Sequence, residues 1–172
     1  MTRKREDRGR PPGPSAADPL RPLEVLQRLR VVMRAARRHS QWIERQSGIS
    51  GAQLWSLQEL ADAPGLKVGE LAARLAIHQS TASNMLDRME SRGLVRRERK
   101  ERDQRVVRLY LTPQGQEVLD KAPLPARGVL PEALRHLAPA EVSQLNAALD
   151  VLISRMGDLD RDFGLRPLPF NE

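Results

Sequence analysis

The chain has 172 residues, of which 40% are hydrophobic, and this length and composition suit one domain with a short appendage. It carries 29 Lys and Arg against 22 Asp and Glu, a formal net charge of +7, which favours a polyanionic partner such as nucleic acid. Because the sequence has no cysteine, disulfides, thiolate zinc sites and thiol redox sensors are excluded. No apolar run reaches the ~18 residues of a membrane span, and the charged N-terminus does not read as an export signal. We therefore expect a cytoplasmic protein without a membrane partner.

The first 22 residues differ in composition from the rest of the chain. They hold six basic residues and five prolines, with almost no large apolar residue before Leu20. Such a stretch cannot bury enough surface to offset the entropy lost on ordering, so we predict a flexible basic arm over residues 1–22. Two interpretations stay open: an arm that touches a DNA backbone or RNA, and a solvated tail without a function.

Four helices are predicted next, from apolar residues spaced three and four apart. The first runs from Leu23 to about Gln46, and the second from about 51 to 62. A short third helix covers about 68–75, and a fourth covers about 79–92. Gly93 follows at the position where a left-handed C-terminal cap is expected.

The period then changes from helical to alternating, which predicts a two-stranded hairpin. The strands cover about 94–99 and 106–111, and residues 100–104 form a polar tip. Residues 96–108 hold seven basic side chains against three acidic ones. A hairpin of this kind can be a solvated edge that resists aggregation, but a basic hairpin directly after two short helices favours contact with DNA.

The last third of the chain is predicted to be helical again. Thr112 followed by Pro113 is a typical helix start, and the helix should break or kink near Pro123 and Pro125. A last amphipathic helix follows Pro139 and ends near Met156, and the tail beyond shows no period. The first and last helices carry apolar stripes wider than one small lobe can bury, so we expect them to pair with a second chain.

The order of the two short helices and the basic hairpin is that of a helix-turn-helix followed by a wing. The second short helix divides into a core face and an outward face rich in small polar side chains, which can donate to phosphates and pair with base edges. An ordinary amphipathic surface helix is the alternative for this helix taken alone. The candidates for DNA contact on it are Gln79, Ser80, Thr81, Ser83, Asn84 and Arg88.

The sequence resembles the MarR (multiple antibiotic resistance regulator) family over about residues 23–156. The resemblance rests on an ordered set of short motifs: Leu71-Ala72-Ala73-Arg74-Leu75, Gln79-Ser80-Thr81-Ala82-Ser83, Arg92-Gly93-Leu94-Val95, Asp103-Gln104-Arg105 and Leu111-Thr112-Pro113-Gln114-Gly115. It implies a homodimer with interlocking terminal helices that reads a pseudo-palindromic operator. It also implies repression or, less often, activation, commonly relieved by a small aromatic or phenolic ligand.

The resemblance also implies roles for side chains of the wing. Asp103 would brace Arg105, and either Arg102 or Arg105 would enter the minor groove. Arg99 and Lys100 would contact the DNA backbone. The lack of cysteine excludes the peroxide-sensing branch of the family, because that mechanism needs a reactive thiol.

In the family an effector sits between the dimer helices and the winged lobe, which makes four residues candidates for a ligand site. His39 or Arg38 would pair with a ligand carboxylate, and the indoles of Trp42 and Trp55 would supply flat apolar walls. The alternative is that both tryptophans are core residues and that His39 is partly exposed.

The predicted fold is mainly α, a winged helix-turn-helix with a two-stranded wing and an intertwined dimerisation region from both termini. It divides into an arm (1–22), a central domain (23–156) and a C-terminal tail (157–172). Within the central domain, residues 51–111 form the DNA-binding lobe, and residues 23–47 and 113–156 form the dimerisation region. We predict no enzyme, cofactor or metal site, since no catalytic or ligand-binding motif is present. The alternative function is a winged helix used as a protein–protein adaptor without sequence-specific DNA binding.

Overall fold

The computed structural model describes residues 21–100, 103–157 and 159–168, with the backbone alone described for residues 100, 103–105 and 161. The described part is mainly helical with one two-stranded sheet, as predicted. The elements in chain order are α1 (Arg21–Ser47), α2 (Gly51–Asp62), α3 (Val68–Leu75), α4 (Gln79–Ser91), β1 (Val95–Lys100), β2 (Asp103–Leu111), α5 (Pro113–Lys121), α6 (Val129–Arg135) and α7 (Pro139–Arg155), followed by a 3-10 helix (Arg161–Leu165).

The core lies in the lobe formed by α2, α3, α4 and the sheet. Leu54 and Leu57 of α2 meet Leu71 of α3, and all three are fully buried. Leu86 of α4 and Leu109 of β2 are fully buried in the same cluster. Because each element contributes apolar side chains to this cluster, the core of the lobe consists mainly of leucine and has few aromatic side chains.

Local signals fix the ends of the helices in the lobe. Ser50 accepts a hydrogen bond from the Gln53 backbone N–H, and the Gln53 side chain accepts one from the Ser50 N–H, a capping box that starts α2. At the other end of the lobe, Gly93 takes a φ of +69° and the Leu94 N–H donates to the Met89 carbonyl at 2.9 Å. This left-handed turn ends α4 and leads the chain directly into β1.

The two strands pair antiparallel, from Val95 opposite Leu111 to Arg99 opposite Val107. An irregularity between Arg99 and Lys100 then places Lys100 opposite Asp103. The second strand therefore begins three residues before the predicted start at 106. The reason is that backbone pairing continues through polar residues on an exposed hairpin, where no apolar alternation marks the strand.

The helices outside the lobe are much more exposed. Helix α1 begins at Arg21, two residues before the predicted helix start at Leu23; the other arm residues, 1–20, lie outside the described part. The predicted break at Pro123 and Pro125 is present, since α5 ends at Lys121 and α6 begins at Val129. Neither α6 nor α7 buries a residue within one chain. Among the described helices none is both long and apolar enough to cross a membrane.

Candidate functional site

The outward face of α4 carries the polar side chains that the sequence singled out. Gln79, Ser80, Asn84 and Arg88 are exposed, whereas Thr81 and Ser83 are half-buried. Ala82, Leu86 and Met89 on the opposite face are buried in the lobe core, and Met85 packs against the core while half-buried. The solvent-exposed face of the helix thus carries amide, hydroxyl and guanidinium groups. These are the donors and acceptors that contact base edges and phosphates.

Arg97 ties the base of the wing to α4. Its guanidinium lies 2.6 Å from an Asp87 carboxylate oxygen and 2.7 Å from Glu90 Oε2. Its backbone N–H donates to Glu90 Oε1 at 3.2 Å. Since Asp87 and Glu90 are on α4 and Arg97 is on β1, these contacts fix the angle at which the wing leaves the helix.

Only part of the predicted wing contact set can be placed. Arg99 is exposed on β1. Lys100, Asp103 and Arg105 lie on the strands near the tip, with their backbones described, and Arg102 lies outside the described residues. The bracing of Arg105 by Asp103 therefore stays a prediction. Arg96, which was not singled out, packs over the ring of Tyr110 at 4.9 Å and stiffens the exposed face of the hairpin.

Thr112 joins the end of α4 to the start of α5. Its hydroxyl donates to the Gly93 carbonyl at 2.5 Å and accepts from the Gly115 N–H at 3.0 Å. A side-chain Cβ at Gly115 would lie 2.0 Å from the Leu94 carbonyl oxygen, so only glycine fits there. The two separate motifs around Gly93 and Thr112 thus form one structural joint.

Comparison with known proteins supports this arrangement. The family model described as the MarR family matches residues 49–107, which run from the start of α2 into the wing. Over this segment the chain is similar to the MarR family. The winged helix fold predicted from the sequence is confirmed.

Two relatives of Bacillus subtilis (strain 168) and one solved structure illustrate the likeness. The uncharacterized HTH-type transcriptional regulator YsmB is 29% identical over 98 residues, which are 57% of this chain and 67% of YsmB. The HTH-type transcriptional repressor MdtR is 31% identical over 97 residues, 56% of this chain and 63% of MdtR. The crystal structure of Sco3205 from Streptomyces coelicolor, a MarR family transcriptional regulator in complex with DNA, shares the fold with a TM-score of 0.57 and 24% identity. The match covers 82% of this chain and 94% of the Sco3205 chain.

The matched segments span only about two thirds of the two Bacillus relatives. Both relatives are named as transcriptional regulators.

A cavity of about 650 Å³ lies between the winged lobe and the helices outside it. Its lining comes from α1, α2, the end of α3, the stretch that contains α6 and the C-terminal residues 163–168. Two of the four predicted ligand residues, His39 and Trp55, are on its wall. Arg38 and Trp42 are exposed on α1 and are not among the residues that line it.

His39 and Trp55 are both already engaged by the protein. The buried His39 ring donates from Nε2 to the Pro125 carbonyl at 3.0 Å, and its edge meets the Trp42 ring at 5.6 Å between centroids. The Trp55 indole N–H donates to Glu59 Oε1 at 3.0 Å. Both groups therefore present apolar ring surface toward the cavity, and their polar atoms hold the surrounding helices.

An ionic cluster that the sequence did not reveal forms the polar wall of the cavity. The buried Glu59 carboxylate accepts from Arg74 at 3.0 Å and from the Arg127 Nε–H at 2.8 Å, and Arg127 also pairs with Asp62. Burial by itself raises the pKa of Glu59, but the hydrogen bonds from Arg74, Trp55 and Arg127 outweigh it and leave the pKa below its usual value. Burial also disfavours the charged forms of Asp62 and Arg127, but their mutual hydrogen bond, the bond from Gln58 to Asp62, the bond from Arg127 to Glu59 and the attraction between the opposite charges together outweigh it. The pKa of Asp62 is therefore lowered and that of Arg127 raised.

No pattern in the sequence predicts this ionic cluster. Arg127 lies 68 residues after Glu59 in the chain, in a segment whose prolines predicted only a helix break. In the described part of the chain, no group of three or more histidine, aspartate or glutamate side chains is placed to bind a metal ion.

Proposed function

We propose that this chain is a member of the MarR family and a sequence-specific DNA-binding transcription repressor, which acts in the cytoplasm as a homodimer on a pseudo-palindromic operator and is released by a small aromatic ligand. The observation that carries the proposal is the exposed polar face of α4 together with a basic strand that Arg97 holds at a fixed angle to it. A major groove of ~12 Å admits such a helix, while the wing reaches the flanking backbone or minor groove.

The proposed DNA contacts divide into two classes. On α4, Gln79, Ser80, Thr81, Ser83, Asn84 and Arg88 read bases and phosphates in the major groove. On the wing, Arg99 and Lys100 contact the backbone, and Arg102 or Arg105 enters the minor groove with Asp103 as the brace. Phosphate contacts set the position of the protein on the duplex, and base contacts set its sequence preference.

The exposed helices support the homodimer. Leu149, Leu152 and Met156 form an apolar stripe on α7 and are 37%, 38% and 61% exposed in a single chain. On α1, Leu26 and Met33 are 41% and 47% exposed. A two-fold partner covers these stripes and places two α4 helices about one DNA turn, ~34 Å, apart.

The cavity supports the effector. Its volume of about 650 Å³ suits a small organic molecule, and the rings of His39 and Trp55 offer flat apolar walls. Arg135 on the same wall attracts an anionic group of the ligand. A chain with Trp42→Phe keeps Trp55 as its single indole, so a titration with benzoate that quenches its emission tests occupancy of the cavity.

The central experiment selects bound duplexes from a random pool and then measures affinity across salt concentrations. We expect a two-fold symmetric sequence and a steep loss of affinity with salt, because several phosphates are neutralised per dimer. The adaptor alternative predicts no preferred sequence and little effect of salt, and that result would overturn the proposal.

Paired variants test the assignment of contacts. Asn84→Ala removes a base contact and is expected to relax specificity at one position by about 1–3 kcal/mol. Arg99→Ala removes a phosphate contact, so it weakens all sequences evenly and reduces the salt slope by about 1. Arg155→Ala, which removes the same charge at the end of α7, is the matched control and leaves both quantities unchanged.

A further inference from the structure

The C-terminal segment, defined here as residues 159–168, returns to the winged lobe and is anchored at the start of α4. The His78 backbone N–H donates to the Leu165 carbonyl at 2.9 Å. His78 is the N-cap residue of α4, and its ring lies 3.8 Å from an Asp162 carboxylate oxygen. One end of the proposed recognition helix is therefore joined to a part of the chain more than 80 residues later.

Short-range contacts give the segment a defined shape before it meets the lobe. The Asp160 carboxylate accepts from the Asp162 N–H at 3.0 Å and starts the 3-10 helix. The Arg166 guanidinium packs over the Phe163 ring at 5.5 Å and lies 3.8 Å from Asp160. A segment folded in this way loses less entropy on docking than an extended one.

Beyond the 3-10 helix the segment reaches the outward face of α4. Pro167 shares a recess of about 240 Å³ with three side chains that the proposed function assigns to DNA: Thr81, Asn84 and Arg88. Pro167 therefore lies beside the surface that a duplex would cover when it contacts these side chains.

The other side of the segment closes the cavity. Phe163, Arg166 and Leu168 line it opposite His39 and Trp55. The segment thus lies between the two sites that the proposed function requires, and it touches both.

We propose that the C-terminal segment is an intramolecular occupant of the α4 face, which competes with DNA and holds the chain in a form of low DNA affinity. This inference rests on the proposed function, because it takes the α4 face to be the DNA-binding surface. The segment is displaced when an operator binds, and its displacement opens the cavity on one side.

Charge alone does not account for this competition. Residues 158–172 carry four acidic and two basic side chains, a net charge of −2 that would weaken DNA binding from any position near the lobe. Docking depends in addition on the order of residues, since Leu165 and Pro167 must reach their positions together.

The test measures the affinity of three chains for one operator duplex. They are the native chain, a chain that ends at Gly157, and a full-length chain whose residues 158–172 are scrambled. A segment docked in about nine of ten molecules lowers apparent affinity about tenfold. We expect truncation and scrambling to tighten DNA binding about equally. If scrambling leaves the affinity at the native value while truncation raises it, the effect is one of charge and the inference is overturned.

A second readout needs no DNA. Hydrogen exchange of the His78 amide should be slow in the native chain and faster in both altered chains, because its bond to Leu165 is lost. Fast exchange in the native chain would overturn the docking itself. Equal DNA affinity in all three chains overturns only the competition, whereas failure of every chain to bind any duplex overturns the proposed function and the competition with it.

Discussion

Glu59 is the residue on which the cavity wall depends. Its carboxylate is almost fully buried, and it accepts hydrogen bonds from the Trp55 indole and from two guanidinium groups. These contacts connect α2 to α3 and to the segment before α6. A buried carboxylate of this kind stabilises the fold only while all its partners are present.

We predict that Glu59→Gln lowers the free energy of unfolding by about 2–4 kcal/mol, because Arg74 and Arg127 then lose their buried carboxylate partner and Arg127 keeps only its pair with Asp62. The measurement is urea unfolding at pH 7. Glu117→Gln is the matched control: Glu117 pairs with Lys121 on the surface of α5, where the side chains are 70% and 79% exposed. Its loss is expected to cost under about 0.5 kcal/mol.

The pH dependence of the free energy of unfolding, compared between Glu59→Gln and Glu117→Gln, provides a second check. The pKa of Glu59 is lowered in the folded state, so its stabilising contribution is complete above the unfolded value of 4.5 and is lost as the pH falls through the lower folded value. Asp62 acts in the same direction from an ordinary value of 3.8. Stability should therefore decrease below about pH 4.5, and less steeply in Glu59→Gln. Equal slopes for the two chains would contradict the role assigned to Glu59.

At the scale of elements, the joint between α4, the sheet and α5 determines how the lobe is assembled. Thr112 caps α5 and at the same time bonds to Gly93 at the end of α4. Gly115 allows the first turn of α5 to approach Leu94, which begins the path into β1. Two of the five short motifs that carry the family resemblance, those at residues 92–95 and 111–115, are thus explained by close backbone contacts.

We predict that Gly115→Ala destabilises the lobe by at least about 2–3 kcal/mol, because the new methyl group meets the Leu94 carbonyl oxygen and the backbone must move. Thermal unfolding followed by circular dichroism measures the loss. Gly164→Ala is the matched control, since nothing lies within 4 Å of the position of its Cβ. An unchanged melting temperature for Gly115→Ala would show that the joint is looser than described.

Element boundaries in the lobe were predictable because their signals are local. The capping residues Ser50 and Thr112 and the turn glycine Gly93 lie within a few residues of the ends that they fix. The start of β2 was predicted three residues late, because the charged tip has no apolar alternation. The engagement of Pro167 with α4 and of Arg127 with Glu59 was not predicted, since each pair is more than 60 residues apart and no pattern within either segment encodes the meeting.

The same distinction applies to the candidate sites. The polar face of α4 follows from helical spacing alone, so the exposed positions of Asn84 and Arg88 agree with the sequence. On α1 the spacing does not say which side faces the lobe. His39 is buried on the cavity wall, whereas its neighbour Arg38 is exposed on another side of the helix.

At the scale of the whole molecule, the unequal distribution of burial is the main feature. The winged lobe closes around its own core, while α7 buries no residue within one chain. An apolar stripe of this extent in water indicates an interface.

We predict that the purified chain has twice its monomer mass in light scattering, and that Leu149→Glu combined with Leu152→Glu makes it monomeric. The charges would lie in the middle of the apolar stripe, where their burial is prohibitive. The monomer should keep its lobe folded and lose affinity for the two-fold operator. Ser154→Glu adds a charge on the opposite side of α7 and should leave the mass doubled; a dimer that survives the double substitution would place the interface elsewhere.

The bond between Thr112 and Gly93 also bears on how a signal travels. Thr112 caps α5, and Gly93 lies two residues after the end of α4. In the proposed homodimer we therefore expect a rotation of α5 to change the tilt of both α4 helices. The distance between the two α4 helices, more than the strength of any one contact, is then the quantity that we expect an effector to adjust.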